Sequence, residues 1–321
     1  MDAQGFYLLA LEGGGTRSQA AILDFEGHCL QISDSADVNT NFTSRQAAEQ
    51  AVLAAVSGAI QQAGIPGGSV THFASALVGP RFGPELLGKL LPHASYHYYG
   101  ERQVVFARAG IYRPHGVAVV AATGATAWGV RGDDGRQVAF GGWGSLLGDE
   151  GSAYAAGLLG LRTAVRAFEG REPAPTRLVE RIGEYLGLTR ETFHAGLVRL
   201  AYQKPLSRAE IAALAGVVTR LAAEGDAPAS RIVAKVSGDL AALALHAARQ
   251  LFTSQESFDV AAAGGLLNAG EMILGPLRAG LRREFPQARL VVGDEAPAVA
   301  LGRLAIADLS PLPPSPKRRG G

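Results

Sequence analysis

The stretch that decides the fold is Leu8-Leu9-Ala10-Leu11-Glu12-Gly13-Gly14-Gly15-Thr16-Arg17-Ser18-Gln19-Ala20-Ala21-Ile22-Leu23. It predicts an apolar strand, a turn of three glycines and a threonine, and a second apolar strand. Because glycines carry no side chain, the backbone N–H groups of such a turn approach an anion closely and hold it. The turn is therefore typical of a phosphate site, and a plain β-hairpin with a glycine-rich turn is the alternative.

The second half of the chain repeats this order of elements. An apolar strand at 117–122 leads into a turn of small residues at 123–126 and then into a strand at 127–131. Acidic residues and glycine at 24–27 and at 133–135 predict a turn before a third strand in each half. The repetition predicts a duplicated domain. It also predicts two small-residue turns that face each other across a cleft and hold one polyphosphate.

Chain length and the distribution of helices predict the domain organisation. A chain of 321 residues is long for one hydrophobic core. We expect an N-terminal lobe over 1–115 and a C-terminal lobe over 116–308. The C-terminal lobe includes a helical insertion from 150 to about 251. The segment 309–321 is rich in proline, serine and basic residues, has little apolar surface to bury, and is expected to be disordered.

The composition excludes several classes of function. The 30 lysines and arginines nearly balance the 29 aspartates and glutamates, so the charge indicates neither a nucleic acid nor a membrane as partner. No segment has the pattern of a signal peptide or a membrane span, so we expect a cytoplasmic protein. The single cysteine, Cys29, excludes an internal disulfide and a cysteine-based metal site within one chain, and the histidines show no ligand spacing.

A glycine-rich loop at 141–154 is the second unusual stretch. It places five glycines, two acids and a tryptophan between a predicted strand and a predicted helix. A tryptophan flanked by glycines, here Trp143, exposes an indole that suits contact with a sugar ring. Asp149 accepts hydrogen bonds from hydroxyls. The structural alternative makes Trp143 a core anchor and Asp149 the N-cap of the following helix.

Three smaller features have open alternatives. Glu101 is either a general base or a favourable charge at a helix N-terminus, and its position alone favours the second interpretation. Asn39 and Asn41 are either loop residues or amide ligands of a polar substrate. The glycine pair 264–265 permits close backbone approach by a nucleoside, although glycines also end ordinary strands.

Together these motifs resemble those of the N-acetylglucosamine kinase family, the BadF-type branch of the actin and sugar-kinase ATPase fold. Residues 12–18, EGGGTRS, resemble the first phosphate motif, and residues 122–126 stand at the second. Residues 141–154 resemble the sugar loop, the most specific motif, while 221–229 and 263–265 resemble the adenosine region. The resemblance covers nearly the whole chain. It implies a two-lobed actin-like ATPase fold of the ribonuclease H-like α/β class, with duplicated βββαβαβα domains around a ligand cleft.

The resemblance also implies an activity, an ATP-dependent kinase that uses magnesium. The implied substrate is an amino sugar, N-acetylglucosamine or glucosamine, phosphorylated to its 6-phosphate. Glu12 would lie near the magnesium ion, and Glu101, which stands where the family has an aspartate, would be the catalytic base. The implied nucleotide-binding residues are Gly13, Gly14, Gly15, Thr16, Thr123, Gly124, Gly264, Gly265 and Asn268. The implied sugar-binding residues are Asn41, Glu101, Gly142, Trp143, Gly144 and Asp149.

Departures from the family's motifs motivate a second hypothesis. Ala122 and Ala125 replace a glycine and a serine of the second phosphate motif, and Glu101 is one methylene longer than the family's aspartate. A non-catalytic sensor that binds sugar and nucleotide on the same fold is therefore the alternative. The iron–sulfur ATPase activators of the same branch need cluster cysteines, so with Cys29 alone we set that function aside. By analogy with sugar kinases of this fold, a homodimer is expected.

Overall fold

The computed structural model describes residues 6–14, 17–41 and 43–310. The chain forms two compact units: unit 1 comprises residues 1–112 and 293–321, and unit 2 comprises residues 113–292. Each unit contains one five-stranded mixed sheet. The predicted two-lobed α/β fold is confirmed.

Unit 1 is built around a sheet that we call sheet 1. Its strands are β1 (Tyr7–Gly13), β2 (Ser18–Leu23), β3 (Cys29–Ser35), β4 (Val70–Leu77) and β5 (Ser95–Tyr98), in the order β3-β2-β1-β4-β5. The pairs β1/β2 and β2/β3 are antiparallel, and β4 and β5 run parallel to β1. The helices, numbered in chain order, are α1 (Arg45–Ala63), α2 (Pro84–Leu87), α3 (Glu101–Arg108) and the closing helix α11 (Pro297–Leu309).

Unit 2 is built around sheet 2 and a set of helices. The strands are β6 (Gly116–Ala121), β7 (Ala125–Val130), β8 (Gln137–Gly141), β9 (Asp259–Ala263) and β10 (Arg289–Val292), in the order β10-β9-β6-β7-β8. The helices are α4 (Ala153–Phe168), α5 (Leu178–Leu186), α6 (Phe193–Tyr202), α7 (Arg208–Ala213), α8 (Ala215–Ala223), α9 (Ala227–Leu251) and α10 (Glu271–Glu284). Within the described ranges, no helix is long and apolar enough to cross a membrane.

The two sheets have the same topology. Each begins with an antiparallel three-stranded meander, β1-β2-β3 or β6-β7-β8. In each, the fourth strand then pairs in parallel with the first, and the fifth pairs in parallel with the fourth. The duplication predicted from the repeated strand and turn pattern is therefore present in the fold.

Alternation along β1 explains why sheet 1 is covered on both faces. Leu9 and Leu11 belong to the apolar cluster that includes the buried residues of α1. Leu8 and Ala10 point to the other face and belong to the cluster that includes α11. Since successive residues of a strand point to opposite faces, an almost continuous apolar strand such as β1 needs a helix on each side.

The position of α11 differs from the predicted division into lobes. The sequence placed this helix in the C-terminal lobe, 116–308, but it packs on sheet 1 and belongs to unit 1. A Cβ atom at Gly302 would lie 2.4 Å from Leu23, so the helix backbone sits directly against β2. Leu309, the first residue of the tail predicted to be disordered, is the last residue of α11, and residues 311–321 lie outside the described residues.

Candidate active site

Glu12 and Glu101 lie at the carboxyl edge of sheet 1. Glu12 is near the end of β1, and Glu101 is the first residue of α3, shortly after β5. Because β1, β4 and β5 run parallel, their carboxyl ends share one edge of the sheet, the usual location of ligand sites in α/β folds. The negative charge of Glu101 acts on Glu12 at this edge. The structure thus brings together the residues predicted as metal neighbour and as base.

The carboxyl of Glu12 is strongly perturbed. Burial, followed by the charge of Glu101, raises its pKa from the ordinary value of 4.5 to about 7, while Arg108 and Arg17 act in the opposite direction. A buried carboxyl beside a second carboxyl holds a proton more readily than usual. It would ionise fully if a cation lay next to it.

Glu101 also has a raised pKa, although part of its side chain is exposed. Burial of the rest of the carboxyl is the main cause, and the neighbouring Arg102 lowers the pKa in opposition. A helix N-terminus on its own stabilises the charged form and would lower the pKa of a carboxyl. The raised pKa is compatible with a general base, and Glu101 also stands in the first turn of α3, so the alternative of a helix-terminal charge stays open.

Arg108 is a cation of this edge that the sequence did not single out. Its Nε donates a hydrogen bond to the backbone carbonyl of Glu295, 2.8 Å away. A Cβ atom at Gly293 would lie 2.8 Å from the Arg108 side chain, so the loop before α11 packs tightly against the end of α3. Burial lowers the pKa of Arg108, and the charge of Glu12 counteracts this effect. No local sequence pattern marks the residue, because its place beside Glu12 follows from tertiary packing.

The first glycine turn is described only in part. Gly13 is buried, and a Cβ atom there would lie 2.5 Å from Val38, so a side chain does not fit. Gly14 has open space where a Cβ atom would stand, which leaves room for a ligand to approach its backbone. Gly15 and Thr16, the other predicted phosphate-binding residues of this turn, lie outside the described residues.

The two asparagines after β3 have different environments. Asn39 is buried, and its Oδ1 accepts a hydrogen bond from the backbone N–H of Asn41 at 2.9 Å. This is the local turn that asparagine side chains commonly form. Asn41 is exposed. Asn39 therefore shapes the loop, and Asn41 stays the predicted sugar contact of the pair.

In unit 2, the turn between β6 and β7 is closed by Asp149. The N–H of Ala122 donates to the carbonyl of Gly124 across the turn at 3.0 Å. The N–H of Ala125 donates to Oδ1 of Asp149 at 3.1 Å. A Cβ atom at Gly124 would lie 2.9 Å from the same carboxylate oxygen. The predicted second phosphate turn, which includes Thr123, is thus in direct contact with the glycine-rich loop.

Gly264 places a third segment against this turn. Its φ of +126° lies in a region that favours glycine, and a Cβ atom there would lie 2.3 Å from the carbonyl oxygen of Ala121. Gly265 has open space beside it, and Asn268 is exposed in the short 3-10 turn Gly265–Ala269. Unit 2 therefore brings the second phosphate turn, the loop around Asp149 and the predicted nucleoside segment together.

The glycine-rich loop keeps its tryptophan at the surface. Trp143 is 74% exposed, so the alternative of a core anchor is wrong. Gly142 and Gly144 on either side have φ values of 73° and 84°, which explains why glycines flank it. The N-cap of α4 is Ser152, so the alternative of Asp149 as N-cap is also wrong. Trp143 is thus available for the ring contact predicted from the sequence.

Asp149 is the most enclosed of the predicted sugar contacts. It is 2% exposed, and its φ of 65° is unusual for a residue other than glycine. Its Oδ2 accepts a hydrogen bond from Arg208 at 2.9 Å, in an ion pair with a residue that sequence reasoning missed. Each carboxylate oxygen has a second lone pair, so Asp149 keeps acceptor capacity beyond these two partners.

The residues of unit 1 fit a magnesium ion that is held with few protein ligands. No group of three or more histidine, cysteine, aspartate or glutamate side chains that could hold a metal occurs in the ranges that the structure describes. Magnesium at phosphate sites is typically bound by one or two carboxylates together with water and substrate phosphates. Glu12, whose pKa is raised partly by a neighbouring carboxylate, is a suitable ligand of this kind.

Comparison with known proteins identifies the family. Residues 11–288 match the BadF/BadG/BcrA/BcrD ATPase family, and the chain belongs to it. The chain is 23% identical over 293 residues to a curated relative, the N-acetylmuramic acid/N-acetylglucosamine kinase of Clostridium acetobutylicum, covering 89% of this chain and 93% of the relative. The family resemblance inferred from the motifs is confirmed. Since the family is one of ATPases, the prediction of an ATP-using enzyme is confirmed at that level.

Solved structures agree on the fold. A protein described as a candidate N-acetylglucosamine kinase from Porphyromonas gingivalis is 18% identical with a TM-score of 0.72, covering 95% of this chain and 100% of that one. A protein described in the same way from Chromobacterium violaceum is 23% identical with a TM-score of 0.68, covering 94% of this chain and 99% of that one. At these identities the likeness shows the fold.

Proposed function

We propose that the protein is an ATP-dependent kinase that phosphorylates an amino sugar, N-acetylglucosamine or glucosamine, at its primary hydroxyl to give the 6-phosphate. Membership in an ATPase family supports the use of ATP. The name of the curated relative supports an amino sugar as substrate class. The observation that carries the proposal is the pair of interacting carboxylates, Glu12 and Glu101, at one edge of sheet 1.

In the proposed reaction Glu101 is the general base. The sugar hydroxyl oxygen attacks the γ-phosphorus of ATP, the bond from that phosphorus to the β–γ bridging oxygen breaks, and ADP leaves. Glu101 accepts the proton that the hydroxyl loses. The raised pKa of Glu101 supports this role, because a base with a pKa closer to the working pH removes a proton more effectively.

Glycine-lined turns and Glu12 are proposed to bind the nucleotide and its cation. In unit 1, Gly13, Gly14, Gly15 and Thr16 hold phosphate oxygens, and Glu12 holds magnesium through water. In unit 2, Thr123 and Gly124 hold phosphate, and Gly264, Gly265 and Asn268 hold the nucleoside. Magnesium, when bound, supplies neutralisation of the charge that develops on the phosphates. The open space at Gly14 and Gly265 supports close backbone approach by a ligand.

The residues proposed to contact the sugar are those that the family resemblance implies. These residues are Asn41, Glu101, Gly142, Trp143, Gly144 and Asp149. The exposed indole of Trp143 supports stacking against a sugar ring, because aromatic faces pack well on the apolar faces of such rings. The exposed position of Asn41 supports a hydrogen bond to a sugar hydroxyl or amide.

A kinase screen tests this proposal. The purified protein with magnesium and ATP is incubated with glucose, glucosamine, N-acetylglucosamine or N-acetylmuramic acid. ADP release is followed, and the product is identified by mass spectrometry. We expect an amino sugar to stimulate ADP release and to become phosphorylated. ATP turnover that no sugar stimulates would contradict the proposal, and binding of sugar and ATP without product would support the sensor hypothesis.

The variant Glu101→Gln tests the base within the same assay. Removing a general base lowers kcat by about 100-fold or more. Glu180→Gln is the matched control, because Glu180 is an exposed carboxylate in the first turn of another helix, α5. We expect Glu180→Gln to retain wild-type turnover. Full activity of Glu101→Gln would remove Glu101 from the base role.

A further inference from the structure

The carboxylate of Asp149 joins three separate segments of unit 2. Asp149 belongs to the glycine-rich loop and is 2% exposed. Its Oδ1 accepts the N–H of Ala125 from the turn between β6 and β7, at 3.1 Å. Its Oδ2 accepts a hydrogen bond from Arg208, at the start of α7, at 2.9 Å. The carboxylate therefore orients the turn on one side and depends on a cation on the other.

The ion pair with Arg208 is what permits a charged group at this place. A buried carboxylate is stable in the charged form only when a cation and hydrogen-bond donors replace the lost water. Arg208 supplies the cation and keeps 30% of its side chain exposed. The carboxylate packs closely against the turn because Gly124 has no side chain: a Cβ atom there would lie 2.9 Å from Oδ1 of Asp149. A small displacement of the carboxylate would therefore move the turn.

The helical insertion holds Arg208 firmly in place. Ser207 is the N-cap of α7: its Oγ accepts the N–H of Glu210 at 3.2 Å, and its own N–H donates to Glu210 Oε2 at 2.8 Å. A Cβ atom at Gly157 in α4 would lie 1.8 Å from the carbonyl oxygen of Ile211 in α7, so the two helices are in backbone contact. Since α4 begins directly after the glycine-rich loop, this packing fixes Arg208 relative to Asp149.

We propose that Arg208 is a positioning residue that acts through Asp149 to hold the phosphate turn and the sugar loop in one arrangement. The inference rests on the proposed function for the roles of the turn and the loop. Arg208 does not need to contact substrate in this account. Its guanidinium fixes the Asp149 carboxylate, and the carboxylate fixes the N–H of Ala125. The helical insertion thereby contributes to the site without supplying a catalytic residue.

A double-mutant cycle separates this role from direct contact with substrate. Arg208→Met keeps much of the side-chain volume and removes the cation, and Asp149→Asn removes the carboxylate charge. A displacement of about 1 Å in a site lowers activity by up to about 100-fold, so we expect each single variant to lower kcat/KM by about tenfold to about 100-fold. The double variant should be no worse than Asp149→Asn alone. If the loss of kcat/KM in the double variant equals the product of the losses in the two single variants, Arg208 acts independently of Asp149 and the proposal is overturned.

Arg231→Met is the matched control. Arg231 forms an ion pair at 2.6 Å with Glu172, whose side chain is 4% exposed, so this variant also removes a cation from a buried carboxylate of unit 2, although Arg166 stays at 3.6 Å from that carboxylate. Glu172 touches neither the turn nor the glycine-rich loop in the described hydrogen bonds. We expect Arg231→Met to lower the unfolding temperature and to leave the KM for the sugar and the KM for ATP unchanged. If Arg231→Met lowers kcat/KM as much as Arg208→Met, the Arg208 effect is general destabilisation and the proposal is wrong.

Amide hydrogen exchange tests the same proposal without relying on catalysis. We expect Arg208→Met to speed exchange at the N–H of Ala125 by about tenfold or more and Arg208→Lys, which keeps a positive charge, to restore part of the protection. Unchanged exchange in Arg208→Met would overturn the proposal. If the wild type has no kinase activity, the proposed function fails while this exchange measurement still decides the role of Arg208.

Discussion

Replacing Glu12 by glutamine tests the electrostatics at the carboxyl edge of sheet 1. In the folded protein, burial and the charge of Glu101 raise the pKa of Glu12 from 4.5 to about 7. One pKa unit corresponds to about 1.4 kcal/mol. Ionising Glu12 in the folded protein therefore costs about 3 kcal/mol more than in the unfolded chain.

The direction in which the free energy of unfolding changes with pH depends on whether the folded or the unfolded state keeps the proton on Glu12. Between pH 4.5 and about pH 7 the folded protein holds a proton on Glu12 that the unfolded chain has lost. The free energy of unfolding therefore falls as the pH rises through this range. Glutamine does not ionise, so the free energy of unfolding of Glu12→Gln does not fall for this reason as the pH rises. We expect the stability of Glu12→Gln relative to wild type to increase by about 3 kcal/mol from about pH 4.5 to about pH 8.

Urea unfolding followed by circular dichroism at a series of pH values measures this difference. Glu26→Gln is the control, because Glu26 is exposed in the turn between β2 and β3. This control should change the free energy of unfolding by less than about 0.5 kcal/mol. A difference between Glu12→Gln and wild type that stays constant with pH would refute the reasoning, since it would show that Glu12 ionises as easily folded as unfolded.

Three further substitutions test other parts of the site. Glu101→Asp should retain far more activity than Glu101→Gln in steady-state assays, because it keeps a carboxylate, and equal losses would argue against a base. Gly264→Ala forces a Cβ atom to within 2.3 Å of the Ala121 carbonyl at a φ of +126°, so it should weaken ATP binding in calorimetry, while Gly238→Ala, which meets open space in α9 outside the proposed site, should not. If Gly264→Ala binds ATP as tightly as the wild type, this expectation is wrong. Trp143→Ala should leave the unfolding temperature within about 2 °C of wild type, because the side chain is 74% exposed, and should raise KM for the sugar; a large fall in unfolding temperature would indicate a core role instead.

The strands and their duplication were predictable because the signal is local. Apolar runs interrupted by glycine and aspartate turns mark β1, β2, β6 and β7, and the order repeats in the second half. No local pattern in the sequence predicts that α11 packs on sheet 1 in unit 1. A helix rich in alanine and leucine is compatible with either sheet. Its packing in the structure, including the close fit of Gly302 against Leu23, shows which sheet it covers.

The candidate site was predictable where residue type alone limits the chemistry. The glycine turns and the tryptophan flanked by glycines stand out in the sequence by residue type, whereas the roles predicted for Glu12 and Glu101 came from the family resemblance. Arg108 and Arg208 were not predicted, because each is one arginine among many and acquires its role only where it meets a buried carboxylate. Asp149 was named for its hydroxyl-binding chemistry, but its bond to the second turn required the three-dimensional structure.

Phosphorus-31 NMR of the protein with magnesium, ATP and N-acetylglucosamine tests the central claim most directly. We expect the γ-phosphoryl signal of ATP to disappear while signals of ADP and of a sugar 6-phosphate grow in equal amounts. We also expect Glu101→Gln to slow this conversion by about 100-fold or more. Growth of inorganic phosphate alone, at a rate that no amino sugar changes, would contradict the central claim.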